Sequence, residues 1–163
     1  MSHYTDHAIA ILKAQGFRIT RPRKLVLELL DGAPTALSAY EIKDALDAAG
    51  EKVDTVSVYR ILECFDQQGL IHRVMSSGKV KKCLLEDESH CQLQQTEHCH
   101  HLLICQRCQG IEEVHCSGID ALVKALQQQL SFKIEAHHLE FTGLCQRCQT
   151  MVADDPTPKH SSP

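Results

Sequence analysis

The sequence contains a duplicated tetrapeptide, "CQRC", at residues 105–108 and again at 145–148. Two residues between cysteines let both sulfurs reach one tetrahedral centre, and four thiolates favour Zn²⁺ in a closed, structural site. Neither pair stands at the head of a thioredoxin-like βαβ pattern, so a redox dithiol is the weaker interpretation. We therefore predict a structural zinc site at Cys105, Cys108, Cys145 and Cys148.

Many further side chains that could bind a metal lie outside these pairs. Nine Cys is an odd count, and without a secretion signal such a pattern favours metal binding over disulfides. Any one of these residues could be an ordinary surface side chain, but their density suits a second, adjustable Zn²⁺ with mixed nitrogen, sulfur and oxygen ligands. The candidates are His72, Cys83, Cys91, His98, Cys99, His100, His101, Glu113, His115, Cys116, His137 and His138.

The charge is divided unevenly along the chain. Residues 1–84 hold 12 Lys/Arg against 10 Asp/Glu, whereas residues 85–163 hold 5 against 11, within an overall net charge of −4. Two stretches in the first half, 7–27 and 67–85, contain several basic residues and no acid. They predict two basic patches of the kind that contact nucleic-acid phosphates.

Helix signals followed by a hairpin fill the first half. Thr20 with Pro22 marks the start of a second helix, and Ser38 and Glu41 have capping-box spacing before a third. A fourth helix begins at Asp54 or Thr55. After Gly69 the period changes to two β-like runs around an "SSGK" turn. This order predicts a winged helix-turn-helix.

In that layout the residues of the second helix that face away from the core enter the major groove. Arg60 and Tyr59 are the candidates for base contacts, and basic residues nearby are candidates for phosphate or minor-groove contacts. A solvated basic face is the alternative interpretation. The full predicted set is Thr55, Ser57, Tyr59, Arg60, Arg18, Arg21, Arg23 and Lys79.

The second half predicts short strands near 102–105 and 111–115, a helix from Ser117, and a strand in "FKIEAHHLEF" (132–141). The fold class is therefore α+β, with a winged helix-turn-helix ahead of a small α/β domain held together by zinc. We expect the DNA-binding domain at 1–85, a linker or hinge with metal ligands at 86–101, the second domain at 102–150, and a disordered tail at 151–163.

Several functional classes are disfavoured. No stretch has the roughly 18 apolar residues of a membrane span, and no secretion signal is present, so we expect a cytoplasmic protein without a membrane partner. A zinc hydrolase would need a motif such as HExxH and an open metal position, and we expect neither enzymatic activity nor a small-molecule substrate. A zinc-stabilised protein-interaction module without DNA is a further alternative.

The motifs "TRPR", "SAYEIKDAL", "TVSVYRILECFDQQGLIHRV", "GIEE" and "GLCQRC", with a His-rich run before the first CxxC, together resemble the ferric-uptake regulator family of bacterial metal-responsive repressors. The resemblance covers roughly residues 8–148. Within the family, the His of "IHRV" and a Cys eleven residues later are similar to the zinc-uptake regulator branch. Gln109 departs from the family pattern, which usually has Gly there.

The resemblance implies a regulatory zinc held by His72, Cys83, His98 and Glu113, with His100 as an alternative to His98 because the segment between Cys83 and Cys105 is unusually long. It implies a further metal site at His101, Asp120 and His137, with Cys99 and His100 as other candidates. A thiolate beside two imidazoles and a carboxylate suits Zn²⁺ better than Fe²⁺ or Mn²⁺.

The family also implies a function. The expected protein is a homodimer, with 102–150 as its dimerisation and metal-binding domain, that carries at least two Zn²⁺ per chain and represses zinc-uptake genes by binding AT-rich inverted-repeat operators in double-stranded DNA. Metal would fix the hinge between the two domains and thereby the spacing of the two recognition helices. An iron- or peroxide-sensing regulator of the same family is the alternative, and Cys83 argues against it.

Overall fold

Four helices fill most of the first half of the chain, and three of them have well-defined N-caps, in a computed structural model that describes residues 3–83, 101–114, 117–135 and 137–153. Thr20 and Asp54 cap two of them, accepting from the N–H groups of Arg23 and Ser57. Ser38 and Glu41 form the complete reciprocal capping box that their spacing predicts. The helices are α1 (His3–Ala14), α2 (Arg21–Gly32), α3 (Ala39–Ala48) and α4 (Thr55–Gln67).

A two-stranded wing follows α4. Strands β1 (Ile71–Val74) and β2 (Lys79–Lys82) pair antiparallel, and residues 75–78 form the wing turn, with Gly78 at φ +66. That φ lies in the left-handed region, where glycine avoids the steric cost of a side chain. Leu37 adds an antiparallel bridge to Val80 and ties the wing to the start of α3.

The core of this first unit (residues 3–83) comes from the apolar face of each helix. Val58, Ile61, Leu62 and Phe65, spaced as a helical stripe, are all buried in α4. They pack with Leu12 of α1 and with the buried residues of the other helices in one cluster. Burial of this stripe leaves the opposite face of α4 free for contacts outside the chain.

The second unit (the described residues from 101 onward) is built on a three-stranded sheet in the order β4-β3-β5. Strand β3 (His101–Cys105) pairs antiparallel with β4 (Ile111–Val114) and parallel with β5 (Glu140–Gly143). Helix α5 (Ser117–Leu130) lies in the connection between β4 and β5, and α6 (Gln146–Ala153) follows the sheet.

The strand expected within 132–141 is wrong over most of its length. Residues 132–135 and 137–139 have no strand conformation, and β5 runs from Glu140 to Gly143. A parallel strand can pair only where the crossover brings it beside its partner, and here pairing with β3 begins at Glu140. Alternation in the sequence indicated strand propensity but could not give this register.

The two units contact each other through the wing. Val74 of β1 and Ala36 are buried with Leu102, Ile104 and Ile111 of the second unit in a small apolar cluster. The Nζ of Lys81 donates to the carbonyl of Ile111 at 3.3 Å. The wing therefore packs on the second unit's sheet.

The predicted fold class is confirmed: helices, a wing and a second small unit follow in the expected order. The domain boundaries remain predictions, and residues 86–100 of the expected linker lie outside the described residues. Helix α6 includes 151–153, the first residues of the expected tail, whose remaining residues also lie outside. Within the described part of the chain, no helix is long and apolar enough to cross a membrane.

Candidate metal centres and nucleic-acid interface

The parallel pairing of β3 with β5 brings the two CxxC motifs together. Cys105 ends β3 and pairs in register with Gly143, two residues before Cys145. All four sulfurs of Cys105, Cys108, Cys145 and Cys148, called here the cysteine cluster, lie within 4.8 Å of one another.

The size of the cysteine cluster fits a tetrahedral zinc ion. The Sγ atoms of Cys108 and Cys145 are 3.8 Å apart. With Zn–S bonds of about 2.3 Å, sulfurs at tetrahedral corners lie about 3.8 Å apart. Four thiolates at this spacing leave no ligand position for water or substrate, so the arrangement suits a structural ion.

Backbone N–H groups prepare part of the cluster for metal. Hydrogen bonds from the N–H groups of Cys108 and Cys145 lower the pKa of the Cys105 thiol to about 6. The N–H of Gly110 likewise lowers the pKa of Cys108. Burial, and then the neighbouring thiols, raise the pKa of Cys148 to about 12, so its thiolate needs a cation beside it.

The backbone conformation at Gln109 shows why glycine, the usual family residue, suits this position. Its φ is +58, in the left-handed region that favours glycine. Its side-chain Nε2 donates to the carbonyl of Gln106 at 2.9 Å, which offsets part of that cost within the turn. Gly110 is also restricted, because an added Cβ would meet the Cys108 sulfur at 3.3 Å.

A second group of ligands forms where the wing meets the second unit. His72 lies on β1, Cys83 follows β2 and Glu113 lies on β4, and one ligand atom from each falls within 4.8 Å of the others. The Oε2 of Glu113 is 3.3 Å from Nε2 of His72 and 3.8 Å from Sγ of Cys83. We call these three residues the interunit cluster.

The environment of the interunit cluster is dry and anionic. The side chains of His72 and Glu113 are 13% and 2% exposed. Burial alone would lower the pKa of His72, but Cys83 and Glu113 outweigh it and raise that pKa to about 9. A cation is therefore strongly favoured at this position, and a divalent ion could take the place of the imidazolium proton.

One nitrogen, one sulfur and one carboxylate supply three corners of a tetrahedron, and this mixed set fits Zn²⁺. The structure thus brings together three of the four ligands expected for a regulatory zinc. The fourth, His98, and its alternative His100 lie outside the described residues.

Leu70 links the interunit cluster to α4, with Tyr4 of α1 bonded to the same carbonyl, and sequence reasoning missed both residues. The carbonyl of Leu70 accepts hydrogen bonds from Tyr4 Oη and from the N–H of Cys83, both at 2.9 Å. The N–H of Leu70 in turn donates to the carbonyl of Phe65 in α4. Burial, followed by nearby acidic groups, raises the pKa of Tyr4, so it stays a neutral donor.

The further metal site is only partly assembled. His101 is 1% exposed, and its ring centroid is 5.3 Å from that of His137, whose Nε2 is buried with no hydrogen-bond partner among the described residues. In that part of the chain, Asp120 does not join them in a three-ligand cluster within 4.8 Å. Cys99 and His100 lie outside it.

The outer face of α4 carries the expected base-contacting residues. Arg60 is exposed, Tyr59 is 47% exposed, and the apolar Val56 beside them is 59% exposed. Thr55 is half-buried in the first turn of the helix. Ser57 is occupied in capping, since its N–H and Oγ both bind the Asp54 carboxylate.

The basic residues predicted to contact DNA differ in their surroundings. Arg18 is exposed, and its carbonyl accepts from Arg23 at 2.6 Å. Arg21 pairs with Glu51 at 2.8 Å, and Lys79 pairs with Glu41 at 3.2 Å. These exposed ion pairs are weak, so both cations could exchange a carboxylate for a phosphate.

The second unit exposes several large apolar side chains in the part of the chain that the structure describes. Leu122, Leu126 and Leu130 form one stripe along α5, and Leu130 is 69% exposed. Phe132 is 65% and Phe141 is 46% exposed. Exposed apolar side chains in such number indicate a protein interface.

The comparisons with known proteins agree with these features. The model of the ferric uptake regulator family matches residues 14–142. The chain is 35% identical to the ferric uptake regulation protein of Legionella pneumophila over 139 residues, 85% of this chain and 96% of that protein. It is 30% identical to the zinc uptake regulation protein of Escherichia coli (strain K12) over 143 residues, 88% of this chain and 80% of that protein.

A solved structure of a zinc uptake regulator complexed with zinc and DNA resembles this fold with a TM-score of 0.79 and 28% sequence identity, covering 94% of this chain and 99% of that chain. The family resemblance predicted from the sequence motifs is thereby confirmed.

Proposed function

The chain belongs to the ferric uptake regulator family of metal-dependent, DNA-binding transcription regulators, which are not enzymes, and we propose that it is a zinc-responsive repressor of zinc-uptake genes. The observation that carries the proposal is the interunit cluster. Its ligands come from both units, so their joint occupation depends on how the wing sits against the sheet.

The donor set argues for zinc as the regulatory metal. Cys83 contributes a soft sulfur donor, whereas iron and manganese sensing favours oxygen and nitrogen ligands. The cysteine cluster would hold a second, structural Zn²⁺ in each chain. His98 or His100 would complete the regulatory site, and His101 with His137 would contribute to the further site with Asp120 or Cys99.

The proposed mechanism couples this site to the recognition helix. Bound zinc would supply a fixed positive charge to which the imidazole, thiolate and carboxylate attach together. His72 and Cys83 would then hold the wing on Glu113, and the shared Leu70 carbonyl would transmit that position to α4. DNA should reciprocally tighten zinc binding, because both ligands favour the same arrangement.

We further propose a homodimer formed through the exposed apolar residues of α5 and β5. A dimer would place two α4 helices in successive major grooves of an inverted repeat. Arg60 and Tyr59 would contact base edges, and Thr55 would lie near the DNA backbone. Arg18, Arg21, Arg23 and Lys79 would bind phosphates, in a protein that works in the cytoplasm where its operator DNA lies.

The proposal is tested by DNA binding at controlled metal concentrations. A duplex with an AT-rich inverted repeat, selected from a random pool by the zinc-loaded protein, is titrated at buffered free Zn²⁺ or Fe²⁺. We expect zinc to drive binding, Cys83→Ser to require at least about 100-fold more free zinc, and Cys64→Ala, a buried cysteine outside both clusters, to behave as wild type.

The similarity to the Legionella ferric uptake regulation protein supports an iron sensor as the second candidate. Binding driven by Fe²⁺ and unaffected by Cys83→Ser would favour that candidate and reject the zinc proposal. A peroxide sensor would in addition lose DNA binding when the iron-loaded protein is treated with peroxide. Arg60→Ala should abolish operator binding without changing zinc content, unless the protein is an interaction module that does not use DNA.

A further inference from the structure

Glu140 joins the second unit to the tip of the wing. It is the first residue of β5, and its two carboxylate oxygens accept hydrogen bonds from consecutive N–H groups of the wing turn. Oε1 accepts from Met75, and Oε2 accepts from Ser76 at 3.0 Å. Because both oxygens are used and the acceptor is charged, this is a two-point contact of the stronger kind.

The wing turn leaves these two donors available. The N–H groups of Ser77 and Gly78 both bond internally to the carbonyl of Val74, at 3.2 and 2.8 Å. Glu140 therefore binds the two turn N–H groups that the hairpin does not use in its own closure.

The register of the sheet relates Glu140 to the interunit cluster. Leu102 on β3 pairs with Glu113 on β4 and with Glu140 on β5, so the three form one row across the sheet. Paired residues on neighbouring strands share a face, and two strand spacings separate the outer pair by roughly 10 Å.

The wing has a matching spacing. Met75, the first residue of the wing turn, lies three residues beyond His72 of β1, again roughly 10 Å along the chain. Glu113 contacts His72, Leu102 packs in the apolar cluster with Val74, and Glu140 binds Met75 and Ser76. One row of the sheet therefore holds the wing at three points, of which Glu113 is the one that belongs to the interunit cluster.

We propose that Glu140 is a positioning residue for metal sensing: by clasping the wing turn it aligns His72 and Cys83 with Glu113 before metal arrives. This inference rests on the proposed regulatory metal site. Apparent metal affinity depends on the fraction of molecules already in the competent arrangement. Loss of the clasp should lower the affinity of the interunit cluster and leave that of the cysteine cluster unchanged.

The test compares Glu140→Ala and Glu140→Gln with Glu135→Gln. Glu135→Gln is a matched control, because it removes the same charge from an exposed site in the same unit, where the Glu135 carboxylate pairs with the neighbouring Lys133 at 2.9 Å. Gln keeps one acceptor oxygen but presents its amide N–H group to the second backbone N–H. Glu140→Gln should therefore keep at most one of the two hydrogen bonds to the wing turn.

Zinc affinity is measured by competition with a chromophoric chelator, in full-length protein without DNA that retains the tightly held first zinc. We expect Glu140→Ala to weaken the second zinc about tenfold, Glu140→Gln by less, and Glu135→Gln not at all. The first zinc should be held equally by all variants. Equal affinity of the second zinc in wild type and Glu140→Ala would overturn the proposal.

Amide hydrogen exchange measures the contact between Glu140 and the wing turn directly, whichever metal the interunit cluster binds. In protein without the second zinc, the Met75 and Ser76 amides should exchange faster in Glu140→Ala than in wild type or Glu135→Gln. Unchanged exchange would also overturn the clasp. If wild type bound no second zinc through Cys83, the proposed function would fail instead, while the exchange measurement would still report on Glu140.

Discussion

The two clusters of metal-type ligands differ in what holds their residues together. The cysteine cluster lies entirely within the second unit, on β3, the turn after it and the segment around the start of α6. The interunit cluster takes two ligands from the wing and one from the sheet. An ion in the first would stabilise a local fold, whereas an ion in the second would also select an arrangement of the two units.

The ligand chemistry follows the same division. Four soft thiolates close a site completely and bind almost irreversibly, which suits an ion that should remain through changes in supply. One imidazole, one thiolate and one carboxylate, all three largely buried, form a weaker set whose affinity depends on alignment. The comparison predicts that the two sites will respond differently to mutation, to pH and to chelation.

The largest effect is expected from removing the cysteine cluster. Cys145→Ser should abolish one zinc per chain and unfold the second unit, since structural zinc contributes on the order of 10 kcal/mol to folding in small domains. Zinc content by mass spectrometry and thermal unfolding by circular dichroism measure this, with Cys64→Ser as control. A normally folded variant with one zinc fewer would show that the cluster is dispensable for the fold.

Removing the carboxylate of the interunit cluster should affect sensing more than folding. Glu113→Ala is expected to weaken the second zinc by at least about 100-fold and to leave the first zinc in place. Chelator competition and thermal unfolding at low free zinc separate the two effects. Glu112→Ala on the same strand removes an exposed carboxylate instead and should behave as wild type. Loss of both zinc ions together would contradict the division between the clusters.

A difference in pH dependence should also separate the sites. The pKa of His72 is raised from 6.5 to about 9, so its imidazolium stabilises the metal-free protein fully below pH 6.5 and that contribution is lost as pH rises through about 9. Zinc must displace this proton. Release of the His72 proton alone should therefore raise the apparent affinity of the interunit cluster about tenfold per pH unit over this range, and any proton lost from Cys83 adds to that slope.

The measurement is chelator competition at several pH values between 6.5 and 9, repeated with His72→Asn. Asn does not take up this proton, so zinc binding to the weakened site should release about one proton fewer. The slope of log affinity against pH should fall by about one. An equal slope in wild type and variant would mean that His72 is not the group that zinc deprotonates.

The smallest effect concerns the turn that carries Cys108. Gln109→Gly should relieve a left-handed backbone conformation and stabilise the second unit by on the order of 1 kcal/mol. Gln106→Gly, in the same turn without positive φ, should destabilise it slightly. Thermal unfolding of both zinc-loaded variants measures the difference, and a loss of stability in Gln109→Gly would show that the bond from its side chain to Gln106 matters more.

Local signals along the chain predicted much of the fold. Capping residues such as Ser38 and Asp54 act on their own helix, so the starts of α3 and α4 could be predicted from neighbours in sequence. The strand at the end of the second unit could not, because a parallel strand begins where its partner allows. Similarly, the sequence predicted the helix from Ser117 but not that Leu122, Leu126 and Leu130 would be exposed along it in the described structure.

Sequence by itself determined the donor chemistry: two CxxC pairs that fit one zinc, the resemblance of the motifs to a metalloregulator family, and the identity of His72, Cys83 and Glu113 as candidate ligands. Only the tertiary structure decided that these last three meet at the contact of wing and sheet, and that Tyr4 and Glu140 support them. Strand register and packing between distant segments set these distances, and neither is encoded in the spacing along the chain.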